Sequence, residues 1–166
     1  MGIFDERLQG IIHLFKYRYR RSLAGPLARS LVSVMRRDRR FDAMEAILPV
    51  PLHTAKARSR GYNQSELIAV HLARTMDLEL IREGLLRIRN TPSQSGLDLA
   101  QREINVRGAF AVKGPRAVAG RRLILTDDVL TTGATVDACA EALLHAGAEE
   151  VCVLTVARTP QPGPMT

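Results

Sequence analysis

The residues with the most specific chemistry lie in one run, Leu123-Ile-Leu-Thr-Asp127-Asp128-Val-Leu-Thr131-Thr132-Gly133-Ala134-Thr135. The apolar stretch Leu123 to Thr126 predicts a strand that feeds a loop and then a helix, and open α/β sheets bind ligands at the carboxyl ends of their strands. A turn rich in Thr and Gly ahead of a helix offers backbone N–H groups, hydroxyls and the positive end of the helix dipole, which together make a phosphate cradle. Gly133 lets the backbone approach an anion with no Cβ in the way, and Thr131, Thr132 and Thr135 can donate from their side chains. Asp127 and Asp128 would repel that phosphate if they touched it; they suit hydroxyl donors or a magnesium shell. Two acceptors for vicinal hydroxyls beside a phosphate cradle describe a ribose 5-phosphate site. The run is not a Walker A loop, because no Gly-Lys-Ser/Thr follows, nor a dinucleotide glycine fingerprint. The blander alternative is an Asp-capped helix start after an ordinary strand.

The elements that must position this run follow from hydrophobic periodicity. Short apolar runs predict five strands, at Ala46–Val50, Leu85–Ile88, Ala109–Val112, Leu123–Thr126 and Val151–Val156. Between the last two, Val136, Cys139, Ala140, Leu143 and Leu144 recur at helical spacing, closed by Gly147. Asn63-x-x-Glu66 resembles a capping box for a helix carrying Leu67, Ile68, His71 and Leu72. Gly25 and Pro26 are expected as N-cap and first residue of a helix with Leu27, Leu31, Val34 and Met35 on its apolar stripe. Leu8, Ile11, Ile12, Phe15 and Tyr19 predict a basic amphipathic helix before it. Apolar strands alternating with helices imply an α/β fold with about five strands in a mainly parallel sheet, flanked by helices.

Charge divides the chain further. Of 166 residues, 24 are Lys or Arg and 17 Asp or Glu, for a net charge of +7. Residues 1–40 hold ten basic and three acidic side chains, and the rest holds fourteen of each, so the whole excess sits in the first quarter. A hydrophobic content of 46% with 25% charged excludes a disordered or histone-like chain. The expected division is a basic helical segment at 1–40 forming a hood, a core at 41–158 and a disordered Pro-rich tail at 159–166. Cys139 and Cys152 belong to no metal-spaced pair and are expected as free thiols. Arg or Lys interrupts every apolar run before it reaches membrane-spanning length, and no signal-peptide pattern opens the chain, so a cytoplasmic protein without membrane insertion is expected.

The acid pair and Thr-rich turn resemble the phosphoribosyl-pyrophosphate signature of type I phosphoribosyltransferases, and two further stretches resemble the competence-associated ComF-type family. One is Pro49-Val-Pro-Leu-His53 followed by Arg58-x-Arg60-Gly61-Tyr-Asn63-Gln64-Ser. The other is Arg87-x-Arg89-x-Thr91-x-x-Gln94-x-x-Leu97, continuing to Arg102-x-x-Asn105-Val-Arg107-Gly-Ala-Phe110. The resemblance covers nearly the whole chain and implies the type I phosphoribosyltransferase fold. It implies that Asp127 and Asp128 bind the ribose hydroxyls, and that Thr131, Thr132, Gly133, Ala134 and Thr135 bind the 5′-phosphate. Pro51, Leu52 and His53 would form the pyrophosphate loop, with Lys56, Arg58 and Arg60 as cations. The stretch Asn90 to Asn105, with Gln94, Arg102 and Asn105, stands where the fold keeps a mobile loop. Asp128, Arg89 and Arg107 would be the catalytic groups, and magnesium (Mg2+) would be met by Asp127 and Asp128 through water or substrate. Many family members begin with a cysteine-rich zinc module, which nothing in this sequence could form. Ala134 also replaces a glycine common in phosphoribosyltransferases.

Two functions stay open on these residues. One is an enzyme that displaces pyrophosphate from phosphoribosyl pyrophosphate with an unidentified nitrogen nucleophile. The other is a non-catalytic protein that binds phosphoribosyl pyrophosphate and handles single-stranded DNA during uptake. For the latter, Lys16, Tyr17, Arg18, Arg20 and Arg21 could stack bases and neutralise phosphates, although the helical stripe favours docking of Phe15 and Tyr19 onto the sheet and leaves Tyr17 more free. Arg36, Arg37, Arg39 and Arg40 could serve nucleic acid or form a solvated face. A homodimer is also open.

Overall fold

The strands that carry the core are apolar on both faces. The computed structural model describes residues 2–3, 5–17, 20–52, 57–58, 60–89 and 99–159, of which 2–3, 17, 99–100 and 102–103 are described by backbone only. In chain order the elements are β1 (Gly2–Ile3), α1 (Glu6–Tyr17), α2 (Ala24–Met35), β2 (Ala46–Pro49), α3 (Gln64–Met76), β3 (Glu79–Leu80), β4 (Leu85–Arg87), α4 (Leu99–Val106), β5 (Phe110–Val112), β6 (Arg122–Leu130), α5 (Ala134–His145) and β7 (Glu150–Arg158). Five strands form one parallel sheet in the order β1-β7-β6-β2-β3. The register pairs Ala46 with Leu123 and Leu123 with Val151, so β6 lies at the centre.

Side chains that alternate along the strands split the core into two layers. Ile47, Ile124, Leu154 and Val156 pack against α1, α2 and α3, with Phe15, Leu31, Met35 and Leu72 all buried there. Ala46, Leu48, Leu123 and Leu125 face the other way, onto Val136, Cys139 and Leu143 of α5, Val106 of α4 and Phe110 of β5. The arrangement is the expected α/β architecture, a mainly parallel sheet covered by helices on both faces. Neither cysteine is in a disulfide. No helix among the described residues is long and apolar enough to cross a membrane.

Sheet membership differs from expectation. The strands predicted at 85–88 and 109–112 do not enter the parallel sheet; β4 and β5 pair antiparallel with each other, Leu85 opposite Val112 and Arg87 opposite Phe110. The reason is visible in their burial. β2 is buried at all four positions, as a central parallel strand must be. Leu85, by contrast, is buried while Leu86 and Ile88 are exposed, the alternation of a half-covered antiparallel pair. The parallel sheet reaches five strands through β1 and β3, each only two residues long and too short to leave an apolar pattern. The start of α2 also differs: a 3-10 turn at Arg21–Leu23 leads into a helix beginning at Ala24, so Gly25 and Pro26 lie inside its first turn, where the missing N–H of proline is not needed. Asn63 caps α3 as expected, its side chain accepting from Ser65 N at 3.1 Å.

Candidate functional site

β6 runs further than its apolar core. Its pairing with β7 continues through Asp127 opposite Thr155 to Leu130 opposite Arg158, so the acid pair sits on the strand itself and not in the loop beyond it. Successive strand residues turn their side chains apart, and the two carboxylates accordingly find different partners. Asp127 Oδ1 accepts from Ser65 Oγ at 2.7 Å and from the backbone N–H of Asp128 at 2.8 Å. Asp128, only 5% exposed, places Oδ2 2.9 Å from the ammonium of Lys16 on α1. Burial and then the neighbouring charge of Asp128 push the Asp127 carboxyl up to about 6, against the opposing pull of the Ser65 hydrogen bond, the Lys16 charge and the Asp128 amide. Two adjacent acids, one of them with its pKa pushed up by burial, mark a candidate site.

The turn after β6 runs through Gly133 into α5. Gly133 adopts φ +95 at the N-cap of α5, a backbone conformation that side chains disfavour, and a Cβ there would come within 3.0 Å of Asp137 Oδ2. Thr132 Oγ1 accepts from Ala134 N at 3.4 Å. Beyond the end of β7, Thr159 fixes the base of the turn, its N–H donating to Leu130 O at 2.9 Å and its hydroxyl to Thr131 O at 3.3 Å. Ala134 is buried, Thr131 exposed, and Thr132 and Thr135 lie between these extremes. The structure therefore gathers Asp127, Asp128, Thr131, Thr132, Gly133, Ala134 and Thr135 at the carboxyl end of the central strand.

The start of α3 ties a second loop to this site. Asn63 Nδ2 donates to Val50 O at 2.9 Å, holding the end of β2 from which Pro51 and Leu52, both half-buried, depart. Arg60 donates to Gln64 Oε1 at 2.8 Å, and Arg58 is exposed. His53, Lys56 and Gln94 lie outside the described residues, as does the side chain of Arg102; Asn105 is half-buried on α4. Arg89 and Arg107 meet each other, Arg89 Nη1 donating to Arg107 O at 2.6 Å beside the β4–β5 pair. Among the described residues no hydrogen bond or ion pair joins either to Asp127 or Asp128.

Asn63→Ala removes both the cap on α3 and the donor to Val50 O, while Ser65, next in that turn, carries the hydrogen bond to Asp127. The expected cost is about 1–2 kcal/mol in denaturant unfolding. A loss below ~0.5 kcal/mol, the usual scatter of surface substitutions, would show that the tie between α3 and the loop is unimportant.

Two residues near the site were not singled out from sequence, and a third was singled out for a different role. Ser65 was hidden by its proximity to a helix cap, although the capping signal at Asn63 marked its position. Arg87 is half-buried, with its guanidinium 5.4 Å from the centroid of the Phe110 ring. Burial lowers its pKa, a trend offset in part by Cys139 and Asp127. Lys16 was read as a nucleic-acid contact, and the structure places its ammonium on Asp128. Of the other N-terminal candidates, Arg21 donates to Gly61 O at 3.0 Å and stacks 4.9 Å from the Tyr62 ring centroid, and Arg20 is exposed. The Tyr17 side chain and Arg18 lie outside the described residues.

Comparison with known proteins bears on the same residues. The family model described as phosphoribosyl transferase domain matches residues 6–165. Competence protein F of Haemophilus influenzae is 33% identical over 162 residues, covering 95% of this chain and 71% of that protein. The DNA utilization protein YhgH of Escherichia coli K12 is 35% identical over 155 residues, covering 92% and 67%. Among solved structures, the glutamine phosphoribosylpyrophosphate amidotransferase from B. subtilis, complexed with ADP and GMP, superposes with a TM-score of 0.55 at 23% identity, over 82% of this chain and 26% of that one. The last likeness is one of fold, and this chain spans about a quarter of the amidotransferase's length.

Proposed function

We propose, for a chain that belongs to the phosphoribosyl transferase domain family and within it to the ComF-type proteins, that it binds phosphoribosyl pyrophosphate with magnesium and transfers phosphoribose to a nitrogen nucleophile. The observation that carries this reading is the acid pair at the carboxyl end of β6, followed directly by the Gly133 turn at the start of α5. Asp127 and Asp128 accept from the ribose hydroxyls. The amides and hydroxyls of Thr131 to Thr135, with the positive end of α5, hold the 5′-phosphate. Pro51, Leu52 and His53 with Lys56, Arg58 and Arg60 face the diphosphate, and Arg89 and Arg107 serve the leaving group. In the reaction the bond from the anomeric carbon to the diphosphate oxygen breaks, pyrophosphate leaves with the electron pair, and the nitrogen bonds to that carbon and releases a proton. The protein's task is to hold the sugar while positive charge develops on the ring and negative charge on the leaving group.

The donor set fits magnesium carried on the diphosphate. Among the described residues no three His, Cys, Asp or Glu side chains converge to cage an ion. One oxygen of Asp127 is already engaged by Ser65 and the Asp128 amide, and one of Asp128 by Lys16. Magnesium commonly keeps its waters and is held by substrate phosphates plus one or two carboxylates, so Asp127 and Asp128 would meet those waters or the sugar. When bound, the ion neutralises charge on the leaving diphosphate.

The test is pyrophosphate release from phosphoribosyl pyrophosphate across a panel of nucleobases and amines, with an Asp127/Asp128 double variant as control. Release that depends on one acceptor and disappears in the double variant is the expected result. Silence across the panel with intact ligand binding favours the second reading, a non-catalytic protein that binds the same ligand and single-stranded DNA. The names of the relatives, a competence protein and a DNA utilization protein, support that alternative. If it holds, affinity for a labelled oligonucleotide falls steeply with salt, roughly one log unit per log unit of salt for each phosphate contact. A flat titration removes it.

A further inference from the structure

We propose that Lys16 is a positioning residue of the phosphoribosyl-pyrophosphate site, a resident cation that neutralises half of the acid pair so that a polyanionic ligand can approach it. The proposal rests on the reading above that this pair binds that ligand.

The contact is direct: Lys16 Nζ lies 2.9 Å from Asp128 Oδ2, with the Lys16 side chain 26% and that of Asp128 7% exposed. A carboxylate so buried needs a partner, and the adjacent Asp127 is another acid. Two ionised carboxylates with no counter-charge would present a doubly negative floor to a ligand that carries a diphosphate and a 5′-phosphate. With the ammonium in place the floor is singly negative. Asp128 Oδ1 and Asp127 Oδ2, for which the described residues supply no hydrogen-bond partner, are left to receive hydroxyls.

The helix that delivers Lys16 is held at its carboxyl end. Phe15, the preceding residue, is fully buried. Its carbonyl accepts from the Tyr62 hydroxyl, and the two rings lie 6.1 Å apart. Arg21 reaches the neighbouring Gly61 carbonyl at 3.0 Å. All of these anchors fall on the Gly61-Tyr62-Asn63 segment, whose Asn63 holds the end of β2 and whose Ser65 neighbour holds Asp127. The anchoring keeps the ammonium on Asp128 with ligand present. Lys16 therefore acts through Asp128 by countering its charge, and belongs to the sugar site despite lying in the basic N-terminal segment.

The test compares two ligands that share the sugar and 5′-phosphate but differ in the diphosphate. Calorimetric affinities are measured with magnesium for phosphoribosyl pyrophosphate and for ribose 5-phosphate, in wild type, Lys16→Met and Lys16→Arg, with thermal melts to monitor folding. Because Coulomb energy scales with ligand charge, Lys16→Met is expected to weaken phosphoribosyl pyrophosphate roughly tenfold or more and ribose 5-phosphate by less than about threefold. Lys16→Arg should restore most of the difference. Should Lys16→Met unfold, Lys16→Gln provides the same neutralisation with a polar side chain. Equal weakening of both ligands would reduce Lys16 to a structural contact, and tighter binding would make it a competitor; either result overturns the proposal. If wild type binds neither ligand, the parent reading fails and this one with it, an outcome distinct from a failure confined to Lys16.

Discussion

Asp128→Ala is expected to lower the affinity for phosphoribosyl pyrophosphate about tenfold or more in calorimetry, one of the two principal effects. Asp128 sits on β6, the central strand, next to Asp127 and with the Gly133 turn only a few residues on. In the proposed complex its carboxylate accepts from a ribose hydroxyl while remaining paired with Lys16. Hydrogen bonds to a charged acceptor each contribute about 1.5–3 kcal/mol, so at ~1.4 kcal/mol per tenfold the loss of one or two of them gives roughly one to four decades, of which the Lys16 ammonium left without its partner returns about one. The fold should tolerate the change. Lys16, a quarter exposed, can turn its ammonium to water when its partner is gone, so the stability cost is expected to stay within about 1–2 kcal/mol. Asp128→Asn separates charge from shape, because it keeps an acceptor of the same size, and it is expected to lose an intermediate share of the affinity. Unchanged affinity in a folded Asp128→Ala protein would remove the acid pair from the site.

That expectation was legible in the residues alone, since the acid pair, the Thr-rich turn and the helix start are consecutive and local spacing decides their geometry. The central strands were legible for the same reason: Ala46 to Pro49 and Leu123 to Thr126 are apolar on both faces, which marks a parallel sheet buried on both sides. What local pattern cannot carry is which strands pair. Leu85 to Arg87 and Phe110 to Val112 look like short apolar strands, yet only the exposure of Leu86 and Ile88 reveals that they form their own antiparallel pair. The two-residue strands β1 and β3 are defined by partners distant in the chain and have no local signature. Lys16 shows the same limit at the site. Amid Arg18, Arg20 and Arg21 its setting suggests nucleic acid, and only tertiary packing of α1 through Phe15 and Tyr62 brings that one ammonium to Asp128. The +7 excess of the sequence is thus partly spoken for inside the protein.

Asp127→Asn is expected to stabilise the ligand-free protein while destroying its ability to bind. The folded state raises the Asp127 carboxyl from its ordinary 3.8 to about 6, chiefly by burial and secondly through Asp128. Between those two values the folded protein holds a proton that the unfolded chain has released, so stability falls as pH rises through the window, and the whole penalty is present above about 6. At ~1.4 kcal/mol per pH unit the penalty is on the order of 3 kcal/mol near pH 7. Asparagine keeps the acceptor that serves Ser65 Oγ and the Asp128 amide, so those hydrogen bonds survive, while the charge and the Oδ2 acceptor offered to the ligand are removed. Measured in EDTA by thermal melts, wild type and variant should coincide near pH 4 and diverge with rising pH, the variant melting about 6–12 °C higher at pH 7. A constant difference across that range would assign the effect to packing, and a variant less stable at pH 7 would mean that the Asp127 charge is favourable where it stands. Calorimetry on the same sample completes the argument. A more stable protein that no longer takes up phosphoribosyl pyrophosphate is what a carboxylate retained for its ligand, at the expense of the fold, must produce.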